Sequence, residues 1–84
     1  QQSSADATPV DFRRFLQSEL VRRCKQNPRY SQRAFSQFLN VENSWLSKVL
    51  RGERIPSAAS VERLGLRLGL TPNQIETYKR ATRS

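Results

Sequence analysis

The chain contains no histidine and a single cysteine, Cys24. With no imidazole and no second thiol, a zinc finger, a disulfide framework and a histidine general base are all excluded. An unpaired thiol suits a reduced compartment, so the expected location is the cytoplasm, at the nucleoid. No apolar run approaches the roughly 18 residues of a membrane span, and the first residues lack the charged-then-apolar order of a signal peptide. Acids are scarce as well, seven Asp and Glu against fifteen Lys and Arg. They are scattered without the spacing of a paired acid and base, and neither a glycine-rich phosphate loop nor a cluster of metal ligands is present. A chain of 84 residues forms one small domain and buries only about 60% of its unfolded surface, too little for a deep catalytic cleft. The reading is therefore a protein that is not an enzyme, with no cofactor, no metal and no small-molecule ligand.

What the chain has in excess is positive charge, +8 at neutral pH with a pI near 11.1. In so small a body this makes a strong positive field, and a polyanion is the expected partner. Twelve of the fifteen cations are arginine, whose planar fork suits phosphates and guanine edges. The same arginines would also keep the chain soluble without any binding role.

Residues 1–7 (QQSSADA) are small and polar without periodicity, which predicts a disordered arm followed by one domain over 8–84. A first helix is expected from Thr8-Pro9-Val10-Asp11, with Thr8 as cap, Pro9 in the first turn and Asp11 on the positive end of the dipole. Phe12, Phe15, Leu16, Leu20 and Cys24 follow the i, i+3, i+4 rows of one buried face as far as about Gln26, and Asn27-Pro28 ends the helix. Ser31 caps a short second helix carrying Phe35, Phe38 and Leu39, which closes at Asn40, a good left-handed residue. Only Val41 and Glu42 precede a third apolar set, Leu46, Val49 and Leu50, ended by Gly52. Two short helices joined so tightly must cross steeply.

Ser57 opens a fourth helix with Val61, Leu64 and Leu68, ending at Gly69. The Gly65 to Gly69 spacing formally matches a membrane dimer motif, but Arg67 lies between them and no apolar 20-mer surrounds them, so Gly65 is read as a site of close helix packing. Thr71-Pro72-Asn73-Gln74 is a capping box that opens a fifth helix. With no alternating strand pattern, the fold class is an all-α bundle of five short helices.

The segment SQRAFSQFLNVENSWLSKVLRGE, residues 31–53, resembles the helix-turn-helix of lambda repressor, Cro and related regulators of the xenobiotic-response-element type. The Ser-Gln start, small Ser36, apolar Phe35, Leu39, Val41, Leu46 and Val49, and the Arg51-Gly52 stop fall in register with that family. Members more often carry Ala at the Ser36 position and Gly at the Asn40 position. Asp11-Phe12-Arg13-Arg14-Phe15-Leu16, the Asn-Pro-Arg-Tyr-Ser entry to helix two and the Trp45-Leu46-Ser47 step further resemble a bacterial subfamily with this domain at the N-terminus of longer regulators.

The resemblance implies sequence-specific binding of double-stranded DNA by a transcription regulator, with the helix over 43–51 in the major groove. By matching positions, base contacts fall to Asn43, Ser44, Ser47 and Lys48. Asn43 suits adenine and Lys48 suits guanine, each worth about 1–3 kcal/mol of discrimination. Gln32 matches a position that bonds phosphate and braces the reading helix. Arg33, Arg51 and Arg54 are further phosphate candidates. Glu42 and Glu53 would repel phosphate, so they are expected to point aside or to pair with Lys48 and Arg54. Trp45 either packs partly on helix two and the turn, the favoured role, or flanks the groove and touches a thymine methyl or sugar. The run from Arg22 to Arg33 has five cations and no acid.

Family resemblance also implies a homodimer on half-sites about one helical turn apart. Ile75, Tyr78 and Ala81 of helix five are either its interface or simply the lid of the core. The alternative function, since fold alone does not fix function, is a helical adaptor that binds another protein.

Overall fold

The computed structural model describes residues 11–83, the last two by their backbone alone. The expected arm over 1–7 lies outside the described residues, as do Thr8, Pro9 and Val10. Five helices follow in order: α1 (Phe12–Gln26), α2 (Gln32–Leu39), α3 (Asn43–Leu50), α4 (Ala58–Arg67) and α5 (Pro72–Arg83). The all-α class and the helix count are as the sequence predicts.

The start of α1 requires a correction. Asp11, not Thr8, is its N-cap: the Asp11 backbone is extended and its carboxylate accepts from the Arg14 N–H at 2.8 Å. A carboxylate both satisfies an orphan amide and lies on the positive end of the helix dipole. Phe12, the first apolar residue of the stripe, is then also the first helical residue.

The other caps agree with the sequence. Ser31 and Ser57 accept from the N–H groups of Ala34 and Ser60, each at 3.2 Å. Thr71 and Gln74 cap reciprocally, the Thr71 N–H donating to Gln74 Oε1 at 2.9 Å and the Gln74 N–H to Thr71 Oγ1 at 3.2 Å. Three helices stop by one device. In α2 the N–H groups of Asn40 and Val41 return to the carbonyls of Gln37 and Ser36, and the same pair of bonds recurs at Gly52 and Glu53 after α3 and at Gly69 and Leu70 after α4. This arrangement requires a left-handed residue just past the helix. Asn40 (φ 61°), Gly52 (φ +80°) and Gly69 (φ +82°) fill that position.

Phe12 and Leu16 of α1, Phe35 and Leu39 of α2, Leu46 and Val49 of α3, Val61 and Leu64 of α4 and Tyr78 of α5 form one buried cluster. Burying each such aliphatic or aromatic side chain contributes about 1.5–3 kcal/mol. Phe12 and Phe15 both lie against Tyr78 at 5.5 Å between ring centres. Ile75 and Tyr78, weighed above as a dimer face, are buried within one chain, and only Ala81 of the three is exposed. They close the core.

Gly65 is buried where α4 meets α5, and a Cβ there would lie 2.8 Å from Ile75 Cγ1. Close packing is thus its role, as the sequence suggests. No helix among the described residues is long and apolar enough to cross a membrane.

Candidate nucleic-acid interface

The left-handed Asn40 reverses the chain within two residues, so α3 begins directly against the end of α2. Ser36 lies at this crossing, buried, and its hydroxyl donates back to the Arg33 carbonyl at 2.7 Å. A small side chain allows the approach, and the internal bond removes the cost of burying its hydroxyl. Leu46 and Val49 point into the core, with Leu50 partly buried beside them. By helical geometry the opposite face carries Ser44, Lys48 and Arg51, all exposed, flanked by Asn43 and Ser47. The four residues expected to contact bases therefore share one outward surface.

Gln32 and Asn43, eleven positions apart, meet across the turn, where Gln32 Nε2 donates to Asn43 Oδ1 at 3.1 Å. The Asn43 amide keeps both its NH2 donors and one oxygen lone pair for another partner. Around this pair the first-turn N–H groups of Gln32 and Arg33 have no acceptor within α2. Glu42, the N-cap of α3, makes no side-chain cap bond. Two helix N-termini, each with its positive dipole end, consequently open beside the same face.

Lys48, Arg33 and Arg54 are exposed and engage in no ion pair among the described residues. Arg51 differs. Its Nε and Nη2 donate to Glu53 at 2.9 and 3.2 Å, and Nη1 donates to Ser47 Oγ at 2.7 Å. The fork holds the Glu53 carboxyl below its ordinary value, first by hydrogen bonding from Arg51 and then by its charge. The expected pairing of Glu53 with Arg54 is therefore wrong. The left-handed Gly52 folds the chain back so that Glu53 lies along α3 beside Arg51, while Arg54 continues outward. Glu42 does not pair with Lys48 either; it is exposed and points aside.

Trp45 is partly buried against the core and lines a shallow groove with Asn40, Val41, Glu42, Ser60 and Arg63. These contacts are those of the packing role expected for it, and they leave part of the ring exposed. The cationic run of α1 is partly committed to structure. Arg22 and Arg23 approach Glu19 at 2.6 and 3.8 Å, and the Arg23 guanidinium also lies 4.4 Å from the centre of the Phe38 ring.

Sequence reasoning missed two supports. Gln17 Nε2 donates to the Leu50 carbonyl at 2.7 Å, tying α1 to the last turn of α3. Arg13 lies across Gly52, where a Cβ would be 3.2 Å from its Nη1. A long-range bond to a main-chain carbonyl leaves no pattern in sequence, and only the absence of a side chain at Gly52 hints at the second.

A family model described as a helix-turn-helix domain matches residues 18–77, well over half of the chain. The chain belongs to the helix-turn-helix domain family. The match spans α2, α3 and α4 entirely, with the crossing helices and their turn near its centre. No curated protein and no solved structure matches the chain. A helix-turn-helix domain suggests DNA as partner and is typical of proteins without catalytic activity. No group of three or more potential metal-ligating side chains occurs among the described residues of this domain.

Proposed function

We propose that this helix-turn-helix domain is the DNA-binding part of a transcription regulator of the phage-repressor type, reading operator sequence with α3 in the major groove. The observation that carries this reading is the Gln32–Asn43 bond across the turn. It holds an amide capable of pairing with adenine at the leading end of an otherwise solvent-facing helix. Asn43, Ser44, Ser47 and Lys48 face the bases. Gln32 and Arg33 at the start of α2, and Arg54 beyond α3, grip phosphates on either side.

The energy divides by chemistry. Each neutralised phosphate releases counterions and contributes about −0.9 to the slope of log K against log salt, without regard to sequence. Base-edge bonds supply the preference. Selection of duplexes from a random pool at physiological salt tests this directly. An enriched motif is expected, Lys48→Ala relaxes it at one or two base pairs, and Arg33→Ala weakens all sequences alike while lowering the salt slope by about one. A pool that returns no motif overturns the reading.

A further inference from the structure

Arg51 is the C-cap of α3, one turn beyond Ser47, and its exposed side chain folds back along the helix. The Glu53 carboxylate grips the edge formed by Nε and Nη2, and Nη1 reaches back to Ser47 Oγ. The guanidinium therefore lies against Ser47, one turn back along α3, on the helix side that also carries Ser44 and Lys48. Glu53 is itself fixed: its N–H donates to the Lys48 carbonyl at 2.8 Å, and the left-handed Gly52 directs the chain there. One N–H on each of Nη1 and Nη2 remains uncommitted, donors with which the guanidinium can meet the O6 and N7 acceptors of a guanine.

The charge balance points the same way. A carboxylate on a surface that binds DNA repels the backbone, and Glu53 also cancels the charge that would make Arg51 a useful counterion for phosphate. A neutral Arg–Glu pair is poorly suited to phosphate but loses none of its donor geometry toward a guanine edge, which is itself uncharged. Orienting that fork offsets the repulsion.

We infer that Arg51 reads a guanine from the middle of the α3 face and that Glu53 is its positioning residue, holding the fork together with Ser47. This assigns Arg51 a base in place of the phosphate expected from its place at the exit of α3, and it rests on the DNA-binding reading above. Glu53 lies within the stop of α3, outside the positions that resemblance marks for contact.

The test is selection from a random duplex pool with the unaltered chain, Glu53→Ala and Arg51→Lys, alongside affinity for a duplex of unrelated sequence. The side chains of Arg51 and Glu53 are 56% and 57% exposed, so both variants keep the fold, which thermal melting checks. Glu53→Ala removes an acid and binds the unrelated duplex about two- to fivefold more tightly. The same variant loses about tenfold of the preference for guanine at one base pair. Arg51→Lys keeps its affinity for the unrelated duplex within about twofold but loses that same guanine preference, because an ammonium has no fork. Retention of the guanine by either variant overturns the inference while leaving the DNA-binding reading intact. Weaker binding of the unrelated duplex by Glu53→Ala overturns it too, since the acid would then support the site structurally. If the unaltered chain enriches no motif, the DNA-binding reading itself fails, and the inference with it.

Discussion

Replacing Gly65 by alanine sets two effects of opposite sign against each other at the junction of α4 and α5. In an isolated helix the change stabilises by about 1 kcal/mol, because glycine loses more backbone entropy on folding. Here the new Cβ would lie 2.8 Å from Ile75 Cγ1, 3.2 Å from Ile75 Cδ1 and 3.3 Å from Leu70 Cδ1. Non-bonded carbons rest at about 3.5–4.0 Å, and Cγ1 is the inner atom of a branched, buried side chain. Relief requires α5 to move away, and overpacking of this kind costs about 1–3 kcal/mol. The net expectation is a loss of about 1 kcal/mol, or a Tm lower by about 4–8 °C in a domain of this size. Far-ultraviolet circular dichroism during heating measures it. A Tm that rises would refute the packing argument. Gly69 is the control: nothing lies within 4 Å of a Cβ there, and φ is +82°. Gly69→Ala loses about 1 kcal/mol through backbone conformation alone, and Gly69→Asn recovers most of it.

Three further outcomes are expected. Asn40→Val destabilises by about 1–2 kcal/mol, because a β-branched residue is forced to φ 61° between α2 and α3; Asn40→Gly stays near neutral, and urea unfolding separates the two. Gln32→Leu removes the bond to Asn43 and weakens selected-site binding about three- to tenfold, with less effect on unrelated duplex, as measured by fluorescence anisotropy. The folded Glu53 carboxyl titrates below its ordinary 4.5 because Arg51 binds its charged form. Its contribution is thus fully present above 4.5 and is lost as pH falls through the lower folded value. The Arg51 Nε–H resonance should shift only in that acid range, and a titration step between pH 5 and 7 would contradict the pairing.

Most of the fold was legible because its punctuation is local. Ser31, Ser57 and the Thr71–Gln74 pair satisfy their own first-turn amides, and Asn40, Gly52 and Gly69 mark the left-handed stops. Each is decided within a few residues. The first cap was misplaced: Thr8 was read as the cap and Asp11 only as a charge on the dipole, whereas Asp11 is the cap. The carboxylate prevails where the apolar stripe begins.

The outward face of α3 was legible from the spacing of Leu46, Val49 and Leu50, and Gln32 as its brace came from family resemblance. The partner of Glu53 was not. Its pairing depends on which way the chain leaves Gly52, a torsion that brings it to Arg51 and away from the neighbouring Arg54. Ile75 and Tyr78 were equally suited to a core or an interface, because an apolar stripe does not say what will cover it. Phe12 and Phe15 of α1 cover Tyr78, and Gly65 receives Ile75.

One surface, the exposed side of α3 with the start of α2, is proposed to meet duplex DNA. Amide chemical shifts of the labelled chain, recorded as duplex is added at physiological salt, test it residue by residue. Changes are expected at Gln32, Arg33, Asn43, Ser44, Ser47, Lys48, Arg51 and Arg54, with little change on the α4 and α5 surface where Lys79 pairs with Glu62 at 3.2 Å. Shifts centred on that second surface, or absent throughout at concentrations that saturate other basic domains, would contradict it.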